Sequence, residues 1–115
     1  MGKVFGIHMI GLRIGVKPEN FEKFMLDRVL PNGLLPGVQL YLLKGDRGDR
    51  EGKYLFVYEF ESVEARDRFF PAPDQASEEA ERHLHSLGEL WDQWAEFASL
   101  PMPPTIYTDY VAVEE

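Results

Sequence analysis

The stretch Tyr54-Leu55-Phe56-Val57-Tyr58-Glu59-Phe60 narrows most sharply what this chain can become. A ring falls at every second position, and Leu, Val and Glu lie between. A strand turns successive side chains to opposite faces, so this one must cover four rings on one side and aliphatic groups on the other. Residues 3–14 make the same demand. Val4, Phe5, Ile7, Met9, Ile10 and Leu12 occupy both parities, as in a strand with both faces covered. Gly6 and Gly11 weaken that strand and mark close packing or a bulge. A chain of 115 residues is one domain, 1–115, large enough for a core without metal or disulfide staples.

The remaining elements follow from periodicity and punctuation. Pro18 and Glu19 suit a helix start, and Phe21, Phe24, Met25 and Val29 share one face, which predicts a helix over 18–30. Pro31-Asn32-Gly33 stops it. Val38 to Leu43 reads as a strand, with Val38, Leu40 and Leu42 opposite Gln39, Tyr41 and Leu43. Ser62 caps a helix that ends before Pro71, and Ser77 opens another running to about Ser99, with Gly88 as a candidate kink. Leu100-Pro101-Met102-Pro103-Pro104 is an extended connector, and Thr105 to Val113 is the last strand.

Between the two central strands lies Lys44-Gly45-Asp46-Arg47-Gly48-Asp49-Arg50-Glu51-Gly52-Lys53. It is not a phosphate loop. The glycine required five residues before Gly52 is Arg47, Tyr54 stands where Ser or Thr should meet magnesium, and a strand follows instead of a helix. Asp46 and Asp49 lack the alternating spacing and distal glutamate of a calcium loop. The Arg-Gly-Asp triplet is short enough to arise by chance. The stretch reads as a glycine-bearing, charged hairpin tip.

A formal charge of −8 disfavours nucleic acid and anionic membrane surfaces, whose affinity comes from basic residues. No apolar run approaches the ~20 residues of a membrane span, and no signal peptide is evident. The absence of cysteine removes disulfides, thiolate nucleophiles and Cys-ligated metals. The expected compartment is the cytoplasm.

The order strand, helix, strand, strand, helical region, strand predicts an α+β, ferredoxin-like βαββαβ fold. Its four-stranded antiparallel sheet would carry helices on one face. The other face would stay apolar and needs a second sheet, so a homodimer is expected, sheet against sheet.

At this point the chain resembles the dimeric α/β-barrel proteins, which include antibiotic biosynthesis monooxygenases, muconolactone isomerase-like enzymes and stress-responsive barrel proteins. The resemblance rests on two stretches. One is Leu12-Arg13-Ile14-Gly15-Val16-Lys17-Pro18-Glu19-Asn20-Phe21-Glu22-Lys23-Phe24. The other is Tyr54 to Phe60 leading into the Ser62-capped helix. It implies a dimeric barrel and, for function, a cofactor-independent oxygenase or isomerase acting on an aromatic or polyketide-like compound. No catalytic signature of one subfamily matches residue by residue.

His8 within its apolar strand, and Glu59 and Asp109 within theirs, are the candidate proton-transfer groups. Each also fits an ordinary buried or paired role. Tyr58, His83, Trp91 and Trp94 are candidates for lining a pocket between sheet and helices, although tryptophans at helical spacing are more often core. No spacing supports a metal site. Three readings stay open: an enzyme using His8 or Glu59, a non-catalytic binding or structural dimer, and, more weakly, haem binding through His83. None requires a cofactor except the last.

Overall fold

The computed structural model describes residues 2–72, 75–98 and 107–113. The chain is α+β, with four antiparallel strands, β1 (Val4–Ile10), β2 (Gln39–Lys44), β3 (Tyr54–Phe60) and β4 (Tyr107–Val111). The helices are α1 (Pro18–Phe24), α2 (Val63–Phe69), α3 (Glu78–His85) and α4 (Gly88–Phe97). The sheet order is β2-β3-β1-β4, which is compatible with a ferredoxin-like fold. The sheet does not close into a barrel, so β2 and β4 are edges.

Register settles which parity faces the helices. Val4, Gly6, His8 and Ile10 of β1 lie opposite Phe60, Tyr58, Phe56 and Tyr54 of β3. That row meets the helices: Phe21 of α1 packs against Tyr54 at 5.1 Å, Trp94 of α4 against Phe56 at 5.7 Å, and Phe70 against Phe60 at 6.1 Å. Phe21 and Trp94 also pack edge-on at 5.9 Å, so α1 and α4 close one aromatic core. The Tyr54 hydroxyl donates to Glu22 of α1, which also receives Lys44 Nζ at 3.0 Å, tying the first helix to the hairpin.

The opposite parity carries Phe5, Ile7, Met9, Leu43, Leu55 and Val57, and no described helix covers it. Leu43 is 48% exposed and Met9 37%. Glu59 lies at one end of this outer face, where Lys3 Nζ and the Tyr41 hydroxyl donate to it at 3.0 and 2.8 Å.

Local chemistry explains several element ends. Ser62 and Ser77 cap α2 and α3 by accepting from the Ala65 and Ala80 amides. The decapeptide is a hairpin: the Gly45 amide donates to Lys53 O at 2.8 Å. A Cβ at Gly45 would fall 1.9 Å from the Arg50 carbonyl oxygen, so only glycine fits there.

Four boundaries differ from the sequence reading. The first strand stops at Ile10 rather than near residue 14. Leu12 instead bridges to Ala98, and the Arg13 amide donates to Phe97 O at 2.9 Å, so the chain leaves the sheet to meet the end of α4. The helix expected over 18–30 is helical over 18–29, and Met25–Val29 winds as a π-helix. The helix expected from Ser77 to Ser99 is two helices. The Ser86 hydroxyl donates back to the His83 carbonyl at 2.7 Å at the break, and Gly88 starts the next segment. The described part of the last strand runs Tyr107–Val111 and ends two residues before Val113. Ser99, the Leu100–Pro104 connector and Thr105 lie outside the described residues.

Candidate functional site

Three strand positions and one helix bring a polar group of side chains together. His8 and Tyr58 sit on adjacent strands with ring centroids 5.0 Å apart. Phe56 lies opposite His8, 6.4 Å away, and carries the aromatic wall on toward Trp94. Gly6, two residues before His8, is paired with Tyr58 on one side and Asp109 on the other. Gly6 is itself buried, so the place between them is covered. Asp109 of β4 receives Arg66 Nη1 of α2 at 2.7 Å.

The electrostatics of this group are specific. Burial pushes His8 below the usual histidine value. A hydrogen bond with the Phe56 backbone and the charge of Asp109 oppose that shift. Burial raises the Tyr58 phenol, so it keeps its proton. A neutral imidazole that accepts a proton thus stands beside a phenol able to donate one, with an aromatic wall to one side.

Glu59 is not part of this group. It follows Tyr58 in β3 and therefore points to the outer face, away from His8. Lys3 and then Tyr41 hold its carboxyl below the usual range, so it stays ionised rather than poised as a base near neutrality. Trp94 is 4% exposed and belongs to the core between Phe21 and Phe56. Trp91 packs edge-on against Trp94, and its Nε1 donates to the Leu84 carbonyl at 2.8 Å, holding α3 against α4. The aromatic stripe thus serves packing first and borders the His8 group only through Trp94 and Phe56.

His83 lies elsewhere. With Asn32, Gly33, Leu34, Leu35 and Pro36 it lines an open depression of about 270 Å³. That is below the roughly 300–1,000 Å³ of most ligand pockets, and no member of the His8 group borders it. His85 is exposed on the same helix.

Arg66 escaped the sequence reading. Nothing in Ser62-Val63-Glu64-Ala65-Arg66 separates a helix arginine that reaches Asp109 from one that points to solvent. Among the described residues, no three histidine, aspartate or glutamate side chains are grouped to hold a metal, and no helix is long and apolar enough to cross a membrane.

No family model and no curated protein matches the chain.

Proposed function

We propose that this chain is a ferredoxin-like domain that pairs sheet to sheet with a second copy and binds a small apolar or aromatic molecule between its sheet and helices. There His8 accepts a proton in a cofactor-independent reaction of oxygenase or isomerase type. The observation that carries this reading is the neutral His8 imidazole beside the protonated Tyr58 phenol, both turned toward the helices. An acceptor and a donor on one surface suit relocation of a proton on a bound ring or enol.

The sheet order supports the ferredoxin-like reading, and the resemblance to dimeric α/β barrels supplies the second copy. Two open sheets facing each other would hide the outer apolar face of each. The engagement of Trp91 and Trp94 in packing favours a second reading, a non-catalytic binding or structural dimer.

The test is a panel of small phenols, quinones and enones offered to the wild type and to His8→Ala. Turnover that falls by about 10²–10⁴-fold in the variant supports His8 as the proton acceptor. Binding that weakens in the variant, with no turnover in either protein, supports the second reading. Unchanged turnover and affinity remove His8 from the site.

A further inference from the structure

Glu59 interrupts an otherwise uncharged face. The other described outward strand positions are apolar, aromatic or neutral polar, so among them Glu59 carries the charge. In its row it stands between Gln39 of β2 and Phe5 of β1. The chain answers that charge itself. Lys3 Nζ lies 3.0 Å from Oε2 and the Tyr41 hydroxyl 2.8 Å from Oε1, so each carboxylate oxygen already has a donor. Glu59 is the sunken member, its side chain 15% exposed against 57% for Lys3. Lys3 is held in place by its backbone, since its carbonyl accepts from the Ala112 amide at 2.8 Å, just past the end of β4. On a chain of net charge −8, the outer face is thus a patch whose own charges cancel.

We propose that Lys3 permits the burial of this face against a second copy of the chain: it compensates Glu59, and the two sheets close tightly only while it does. The inference rests on the sheet-to-sheet pairing proposed above and names the residue that allows it. The charge pattern selects the occupant. A basic partner would find no unanswered carboxylate here, and an acidic partner no lysine to spare, whereas a neutral apolar sheet meets neither cost. The chain carries such a sheet itself. Two-fold pairing brings both copies of Glu59 into one interface. Without Lys3 they would repel each other and lose their hydration with nothing in return, whereas compensated they can be buried. In the single chain the same pair stays partly in water, where it contributes little to stability.

The experiment is sedimentation of the wild type, Lys3→Gln, Lys3→Arg, Glu59→Gln and the double variant Lys3→Gln/Glu59→Gln, giving a dissociation constant for each. Removing one member of a buried pair strands the other, whereas removing both does not. Lys3→Gln should therefore weaken association by about 100-fold. The double variant should return to within about tenfold of the wild type, and Lys3→Arg should stay near it. Glu59→Gln should stay near it too, because a lysine this exposed turns its ammonium to water. If Lys3 acted only by packing its stem, the double variant would be as weak as Lys3→Gln, and that result overturns the proposal. A Lys3→Gln dimer as tight as the wild type also overturns it, while leaving the sheet-to-sheet pairing intact. A wild type that stays a single chain at micromolar concentration removes the pairing itself, and this inference with it.

Discussion

His8 and Glu59, the two candidate proton-transfer groups, lie on opposite faces of one sheet. His8 turns to the helices and Tyr58, whereas Glu59 turns outward to Lys3 and Tyr41. Any chemistry on the helix side must therefore work without Glu59. Glu59→Gln is expected to leave ligand binding at His8 unchanged within about twofold, a difference of only ~0.4 kcal/mol. Loss of binding in Glu59→Gln, measured by calorimetry, would show that the outer face shapes the site.

Association is expected to depend on the outer face. Met9→Lys and Leu43→Lys place charge on side chains that one chain leaves partly exposed, so each should change the stability of the isolated fold by no more than ~0.5 kcal/mol. Sedimentation should give twice the 13.3 kDa chain mass for the wild type and the single mass for the double variant. A wild type that sediments as one chain at micromolar concentration contradicts pairing through this face.

Acid should weaken the fold in two stages. The unfolded chain protonates His8 near pH 6.5, whereas burial holds the folded residue lower. The unfolded state then binds more protons, so stability is whole above about pH 6.5 and falls as pH drops below it. Glu22, Glu59 and Glu79 are held below the ordinary value of 4.5 by Tyr54, Lys3 and Arg68 respectively, each acting first by hydrogen bond. Their contribution is present above about pH 4.5 and is lost below it. Urea midpoints between pH 8 and pH 3.5 check this. His8→Gln should flatten the upper stage and keep the lower one.

The tryptophans should separate by role. Trp94→Ala removes a ring packed against Phe21 and Phe56 and should cost about 3–5 kcal/mol of stability. Trp91→Phe keeps an aromatic ring but loses the hydrogen bond to Leu84 and part of the indole packing, at a cost of about 1–2 kcal/mol. Denaturant unfolding of both variants measures the difference, and equal costs would contradict these roles.

Much of this fold is legible in the sequence because its signals are local. The alternating rings of Tyr54–Phe60 define a strand whose observed ends match, and Ser62 and Ser77 mark helix starts by a hydrogen bond three residues long. Glycines and charge predict the hairpin tip. Signals that depend on distant partners were not legible. Leu12 and Arg13 look like the end of a strand, and only the arrival of Phe97 and Ala98 shows that they pair elsewhere. Leu84, Leu87, Trp91 and Trp94 share a stripe on a single continuous helix, but the Ser86 hydroxyl and Gly88 divide it. His8 and Tyr58 meet because of strand register, which no spacing along the chain reveals. Arg66 of α2 reaches Asp109 of β4 across 43 residues, a partner that no local signal names.

The most direct measurement of the central claim is a ligand titration of protein labelled in its histidine and tyrosine rings. A small phenol, quinone or enone that binds between sheet and helices should move the His8 and Tyr58 signals together, to saturation, and leave His85 in place. Saturable binding with His8 and Tyr58 unmoved, or no binding by any member of the panel, would contradict the account.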